Sequence, residues 1–321
     1  MKILTVGQND AGQRLDKFLS KAVRTLPQSM MYRGIRQKKI KVCRHRAEPG
    51  QILHAGDTVE IFLPDAFLMQ ETPELAFLTV PPVLDILYED ADMLLVCKRP
   101  GMLVHTGDTA SGETRDDTDT LVNRIRSYLY QRGEYDPHEE QSFAPALCNR
   151  IDRNTGGIVI AAKNAAALRR LNALIRDRDV TKQYLCAVHG TPSPREATLR
   201  GYIVKDEKKK QVTVSQTKSN DPRARTAVTH YRVVSEKNGL SLLKVTLLTG
   251  RTHQIRAQMA AAGHPLLGDG KYGVNRADRQ KGYKYQALYA YRVELDGKVY
   301  TASPDKIWFL REFDPCDISL L

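Results

Sequence analysis

The segment Asn149-Arg150-Ile151-Asp152-Arg153-Asn154-Thr155-Gly156-Gly157 sets one carboxylate between two arginines, just before two glycines and an apolar run. An Asp at a loop–strand junction is commonly only a turn former. Here the glycines let backbone or ligand approach closely, and the flanking guanidiniums favour the anion that a carboxylate nucleophile requires. A second group is Thr249-Gly250-Arg251-Thr252-His253-Gln254-Ile255-Arg256, in which Gly250 and Thr252 set a turn into a helix whose first turn presents Arg251. A cation at that place meets a carboxylate or a phosphate. His253 reads as a base or as a satisfied core histidine. No second His follows within four residues, so no metal site is expected. Tyr184, in Lys182-Gln183-Tyr184-Leu185, lies on an otherwise apolar strand. Such a Tyr is usually core, but beside a nucleobase it can stack and handle a proton. The fourth group, Lys98-Arg99-Pro100-Gly101-Met102-Leu103-Val104-His105, puts a Pro-Gly turn after a strand and by itself reads as an ordinary hairpin turn.

These residues need elements to hold them. Residues 12–64 outline a small α+β unit. Leu15, Phe18, Leu19 and Val23 repeat at helix-face spacing. Leu26-Pro27-Gln28-Ser29 breaks the pattern, and Ser29 is placed to cap a second helix. That helix and its exit carry Arg33, Arg36, Lys38 and Lys39, ahead of strands Ile40–Val42 and Thr58–Phe62. The domains are expected at 1–64 and 84–321, joined by a linker at 65–83 with Pro73, Pro81 and Pro82. In the second domain, Ile86–Asp90 and Met93–Lys98 read as a strand pair, 106–119 as a polar, acidic loop, and Leu121–Tyr130 as a helix. Gly157–Ala162 reads as a buried strand, followed by a helix Ala165–Arg178 capped by Asn164. Gln183–Val188, Val212–Ser215 and Leu242–Leu248 read as strands, and Arg251–Ala262 as a helix ended by Gly263. Strands outnumber helices without regular alternation, so the expected catalytic domain is α+β with a mixed, mainly antiparallel sheet.

Composition narrows the partners. The chain has 321 residues and a net charge of +12, from 49 Lys plus Arg against 37 Asp plus Glu. That charge is unevenly spread. Residues 1–64 hold 12 basic and 5 acidic residues, 65–140 hold 6 and 16, and 141–321 hold 31 and 16. Two cationic regions around an acidic middle favour a polyanion, nucleic acid first. No basic amphipathic helix with large apolar anchors is evident, and no run of about 18 apolar residues occurs, so no membrane partner is expected. The start MKILTVGQND is polar by position 8, unlike a secretory signal. Five well-separated cysteines, an odd number, argue against a disulfide framework and fit a reducing cytoplasm, the expected location.

Taken together, the four groups resemble the RluA-type pseudouridine synthases. That family's His-Arg-Leu-Asp-x-x-Thr-Ser-Gly is met here by residues 149–157, and its Arg-Thr-His-Gln-Ile-Arg in full by residues 251–256. Gly263-His264-Pro265-Leu266-Leu267-Gly268-Asp269, Lys182-x-Tyr184 and Lys98…Pro100-Gly101 match in order, and Leu288-Tyr289-Ala290 stands where Leu-His-Ala is usual. Residues 12–64 similarly resemble the alpha-L RNA-binding domain. The departures are Asn149, Gly156 and Tyr289; none removes the aspartate.

The resemblance implies the pseudouridine synthase fold and isomerisation of uridine within structured RNA. Large-subunit ribosomal RNA is favoured and transfer RNA second. It implies no cofactor, because no atom is gained, and a monomer is expected. It assigns Asp152 as the group that attacks the anomeric carbon or abstracts a ribose proton to give a glycal; the sequence leaves both routes open. It pairs Arg251 with Asp152, stacks Tyr184 on the uracil, and has Arg150 fill the space of the displaced base. Arg14, Lys17, Arg33, Arg36, Lys38 and Lys39 of the first domain are the expected phosphate contacts. Two other classes compete: a non-catalytic RNA-binding or assembly factor on the same fold, and a nucleoside hydrolase. The latter usually needs a second carboxylate near the first, whereas arginines flank Asp152.

Overall fold

The computed structural model describes residues 1–68, 75–105, 118–206, 211–218, 221–273 and 275–319. The acidic loop expected at 106–119 falls almost wholly outside the described residues, as do Pro73 and the Lys208-Lys209-Lys210 run.

In the N-terminal unit, the apolar face of α1 (Leu15–Ala22) buries Leu15, Phe18 and Leu19 completely. It packs with Met31 and Ile35 of α2 (Gln28–Arg36) over a four-stranded sheet. The sheet order is β1 (Lys2–Thr5), β4 (Thr58–Ile61), β2 (Ile40–Val42), β3 (His45–Arg46). Strand β1 lies ahead of the expected unit and pairs antiparallel with β4. Helix α2 begins two residues earlier than a Ser29 cap requires, with Pro27 at the cap position, because proline's fixed φ suits a helix entrance. Of the linker, Leu75–Thr79 forms a 3₁₀ turn whose Phe77 is buried against Tyr130 and Tyr135, so this stretch belongs to the core of the second domain.

The remaining strands join one sheet. In chain order they are β5 (Ile86–Glu89), β6 (Met93–Lys98), β7 (Ala146–Leu147), β8 (Gly156–Ala162), β9 (Thr181–His189) and β10 (Glu196–Asp206). After them come β11 (Gln211–Ser215), β12 (Arg225–Lys237), β13 (Leu240–Leu247), β14 (Leu288–Leu295) and β15 (Lys298–Thr301). The sheet runs β11-β10-β12-β13-β9-β14-β8-β6-β5, with β15 added to β14 and β7 to β8. Every pairing is antiparallel except β8 with β14, so the expected mixed, mainly antiparallel sheet is what forms.

Alternation along the strands splits the core into two layers. On β9, Tyr184, Cys186 and Val188 face one layer, which also takes Leu121 and Ile125 of α3 (Leu121–Gln131) and Ile255 and Met259 of α5 (Gln254–Ala261). Leu185 and Ala187 face the other, with Leu171 of α4 (Ala165–Asp177) and the C-terminal Phe309 and Phe313. Asn164 caps α4 as expected, its side chain accepting from Ala167 N–H at 2.8 Å. Two short helices, α6 (Asn275–Gln280) and α7 (Pro315–Ile318), complete the fold.

The first domain docks on the second through a polar loop. Asp10, 1% exposed, accepts from the backbone and hydroxyl of Ser142, and the Asn9 side chain accepts from Ala165 N–H at the head of α4. No helix among the described residues is long and apolar enough to cross a membrane.

Candidate active site

Asp152 sits on the loop between β7 and β8. The loop is closed at its base by the Asn149 side chain, which accepts from Ile160 N–H at 2.7 Å. At its far end Gly157, at φ +116°, lies against Ala290, where an added Cβ would come within 2.3 Å of the Ala290 carbonyl oxygen. Only glycine tolerates both conditions. This approach forms the one parallel junction in the sheet and brings Asp152 beside Tyr184 of β9.

Arg256, on the first turns of α5, donates from Nη1 to Asp152 Oδ2 at 2.7 Å. Its Nε and Nη2 grip the fully buried Asp269 as a fork, at 2.7 and 2.9 Å. Burial opposes charge on Arg256, but the Asp269 bonds and the Asp152 and Asp269 charges outweigh it and raise its pKa. Burial likewise pushes the Asp269 pKa up; the Arg256 bonds and charge win and hold it low. Tyr272 lies under the guanidinium, 5.2 Å from its ring centroid, and its hydroxyl is 2.8 Å from His253 Nδ1. When that hydroxyl donates to Nδ1, the imidazole hydrogen sits on Nε2, the nitrogen that faces Asp152 Oδ2 at 3.9 Å.

The partner of Asp152 therefore differs from the expected one: it is Arg256, not Arg251. Helix α5 begins at Gln254, three residues late, because His253 adopts a left-handed φ of +52°. The buried Gln254 side chain then accepts the Arg251 N–H, and Arg251 Nε donates to the Thr226 carbonyl at the cleft wall. Arg251 and Arg256 belong to the same six-residue run, so the motif was legible while its geometry was not. Asp269 and Tyr272 were missed; the sole trace of Asp269 was its place at the end of the Gly263–Asp269 run.

Asp152, Tyr184, Arg251 and the exposed Arg150 line one cleft of about 1810 Å³. Twelve of its described lining side chains are Lys or Arg, and Asp152 is the only acidic one. Burial and the Asp152 charge raise the Tyr184 pKa, so its phenol stays neutral. Lys98, 1% exposed, donates to the carbonyls of Arg99, Met102 and Arg153 and stitches the Pro100-Gly101 turn to the Asp152 loop. Burial pulls its pKa down to about 7, against the opposing Asp152 charge.

In the first domain, Lys17, Arg33, Arg36, Lys38 and Lys39 are exposed, the last four forming one cluster at the exit of α2. Arg14 is also exposed but is held by Asp16 at 2.7 Å, which leaves less charge for a phosphate.

Gly156 and Tyr289 are two departures that fit each other. A Cβ at Gly156 would stand 2.7 Å from the Tyr289 ring. Gly156→Ser should cost about 1–3 kcal/mol of stability by overpacking, and adding Tyr289→His should recover most of it; denaturant unfolding of the two singles and the double measures this. Additive losses would break the link.

His253 supplies a pH test. Burial pushes its pKa down to about 4, against a smaller opposing pull from Asp152. The unfolded chain takes up that proton near 6.5, so between about pH 6.5 and 4 it binds one proton more than the fold, and stability falls with pH. The thermal midpoint of His253→Gln should fall less steeply over that window than that of wild type; equal slopes refute the assignment.

Residues 92–261 match the family model described as RNA pseudouridylate synthase. The uncharacterized RNA pseudouridine synthase YlyB of Bacillus subtilis is 32% identical over 287 residues, covering 89% of this chain and 87% of YlyB. Ribosomal large subunit pseudouridine synthase C of Vibrio vulnificus is 31% identical over 283 residues, covering 87% and 82% of the two chains. Among solved structures, human RNA pseudouridylate synthase domain containing 4 superposes with a TM-score of 0.57 at 21% identity, over 71% of this chain and 92% of that one, a likeness of fold. With the RNA pseudouridylate synthase model spanning over half its length and relatives above 30% identity along most of it, the chain belongs to the RluA-type RNA pseudouridine synthases.

Proposed function

We propose that the protein converts uridine to pseudouridine in large-subunit ribosomal RNA, with Asp152 opening the glycosidic bond. The observation that carries this reading is the one carboxylate among the described side chains of a strongly cationic cleft, held by a guanidinium that is itself clamped from behind. RNA phosphates are drawn to the cleft, and the Asp152 carboxylate is left for the sugar. The C1′–N1 bond breaks through a cation-like ribose, the situation a carboxylate serves in glycoside cleavage. Asp152 either bonds to C1′ or removes a ribose proton. The uracil then turns, C5 bonds to C1′, the C5 proton leaves and N1 gains one, so nothing is added overall. Tyr184, a neutral phenol on the cleft floor, suits stacking and relay of that proton rather than service as a standing anionic base. A stacked uridine must first leave its helix at a cost of a few kcal/mol, and the exposed Arg150 of the cleft lining is our candidate to occupy the gap.

The relatives named as ribosomal large subunit synthases and the basic N-terminal unit, which we read as an alpha-L-type RNA-binding domain, support this choice of RNA. The experiment is a map of pseudouridines by carbodiimide chemistry across ribosomal and transfer RNA, with the gene, without it, and with Asp152→Asn. Loss of one or a few large-subunit positions in both altered strains is expected. Loss confined to transfer RNA moves the substrate there, and no loss anywhere overturns the reading.

Neutralising the α2 cluster as Arg33→Gln, Arg36→Gln, Lys38→Gln and Lys39→Gln should weaken RNA binding and flatten its dependence on salt. Each lost phosphate contact lowers the log–log slope by about 0.7–0.9. An unchanged slope would remove the N-terminal unit from RNA docking.

A further inference from the structure

A second hollow, of about 450 Å³, adjoins the cleft and shares Leu103 and Arg153 with it. Its size lies within the roughly 300–1,000 Å³ of small-molecule sites. Tyr285 lines it and is 37% exposed, so its ring is open to a ligand. The Tyr285 ring rests on Gly101, which has a φ of +89°. A Cβ there would come within 2.8 Å of the Tyr285 hydroxyl, so only glycine admits the ring.

The turn beneath is fixed. Gly101 N–H donates to the Arg153 carbonyl at 2.9 Å, and Arg153 Nε returns a bond to the Gly101 carbonyl at 3.1 Å. Gln286, next along from Tyr285, donates to Thr155 Oγ1 at 3.1 Å. The hollow and the Asp152 loop therefore share one hydrogen-bonded frame. Arg99 and Arg153 bring positive charge to it, while Asp119, the one acidic group among its described lining residues, is forked by Arg124 at 2.6 and 2.8 Å and so is already matched. Among the described lining residues there is no Asn, Gln, Ser or Thr to read a base edge.

An aromatic face beside two guanidiniums, one of them on Arg153, the residue that follows Asp152 in the chain, fits a nucleotide flanking the target. We propose that this hollow takes the nucleotide next to the target uridine on the same strand, its base stacked on Tyr285 and its phosphate facing Arg99 and Arg153. The assignment rests on the RNA reading above. Stacking of this kind tolerates any base, since each has a π-face, so the hollow adds affinity and positioning without sequence choice.

The test uses the full-length protein and a fluorescein-labelled decauridylate, followed by anisotropy. Tyr285→Ala should weaken binding about 5- to 150-fold, the range for losing one base–aromatic stack, while Tyr285→Phe stays within about twofold. Arg99→Gln should lower the salt slope by about 0.7. On a stem–loop built around the mapped uridine, an abasic neighbour should cost wild type the factor that Tyr285→Ala costs, and should cost Tyr285→Ala nothing more. Full binding by Tyr285→Ala, an equal loss in Tyr285→Phe, or additive losses with the abasic stem–loop overturns the proposal. If no uridine maps to this protein, the functional reading falls while the decauridylate arm still decides the hollow.

Discussion

Replacing Asp152 by Asn should abolish pseudouridine formation and leave RNA binding in place. Loss of a group that attacks or deprotonates the sugar costs on the order of 10²–10⁴-fold or more. The fold should survive, because Arg256 keeps both bonds to Asp269 when Asp152 is neutralised. The thermal midpoint should therefore stay close to that of wild type. Affinity for RNA should hold or rise slightly, since the change removes the only acidic side chain among the described lining of a cationic cleft. Asp152→Ala should behave alike. Pseudouridine formation is followed by carbodiimide mapping and binding by anisotropy on the same preparation. Retained turnover in either variant removes Asp152 from the role. Release of free uracil by wild type would instead point to hydrolysis of the glycosidic bond.

The sequence carried the architecture where a pattern is local. The helix at Leu121–Gln131, the Asn164 cap and the buried run Gly156–Ala162 each depend on neighbours within a few residues. What escaped was set by distance along the chain. Strands β10 and β12 carry Arg, Lys and Thr among their apolar residues, and their identity comes from pairing across the sheet rather than from a clean alternation. The Asp152–Arg256 pair joins residues 104 positions apart. Its geometry turns on a left-handed His253, a conformation that side-chain periodicity does not encode. The fit of Gly156 to Tyr289 is a further case: each looked like an isolated departure until the ring was seen to occupy the volume a side chain at 156 would need.

Arg256→Gln should be the most damaging change in the protein, because it strikes activity and stability together. The side chain donates to Asp152 and doubly to Asp269, which has no exposed surface. Taking away one partner of such a buried pair leaves an uncompensated carboxylate, at a cost of about 3–5 kcal/mol. Asp269 retains the N–H groups of Lys271 and Tyr272, which soften the loss without replacing a cation. Lys at 256 keeps the charge but not the fork, so it cannot serve both carboxylates with the same geometry. Arg256→Lys should hold more stability than Arg256→Gln and still lose most turnover. The two effects separate in a double variant. Pairing Arg256→Gln with Asp269→Asn removes the stranded charge and should recover stability, while activity stays low because Asp152 remains without its guanidinium. Arg251→Gln is the control: its Nε bonds a carbonyl at the cleft wall, so it should weaken RNA binding with little change in the thermal midpoint. If Arg251→Gln instead destroys turnover at saturating RNA while Arg256→Gln, once stabilised, restores it, the carboxylate answers to Arg251 in the RNA-bound enzyme and the pairing seen here is not the working one.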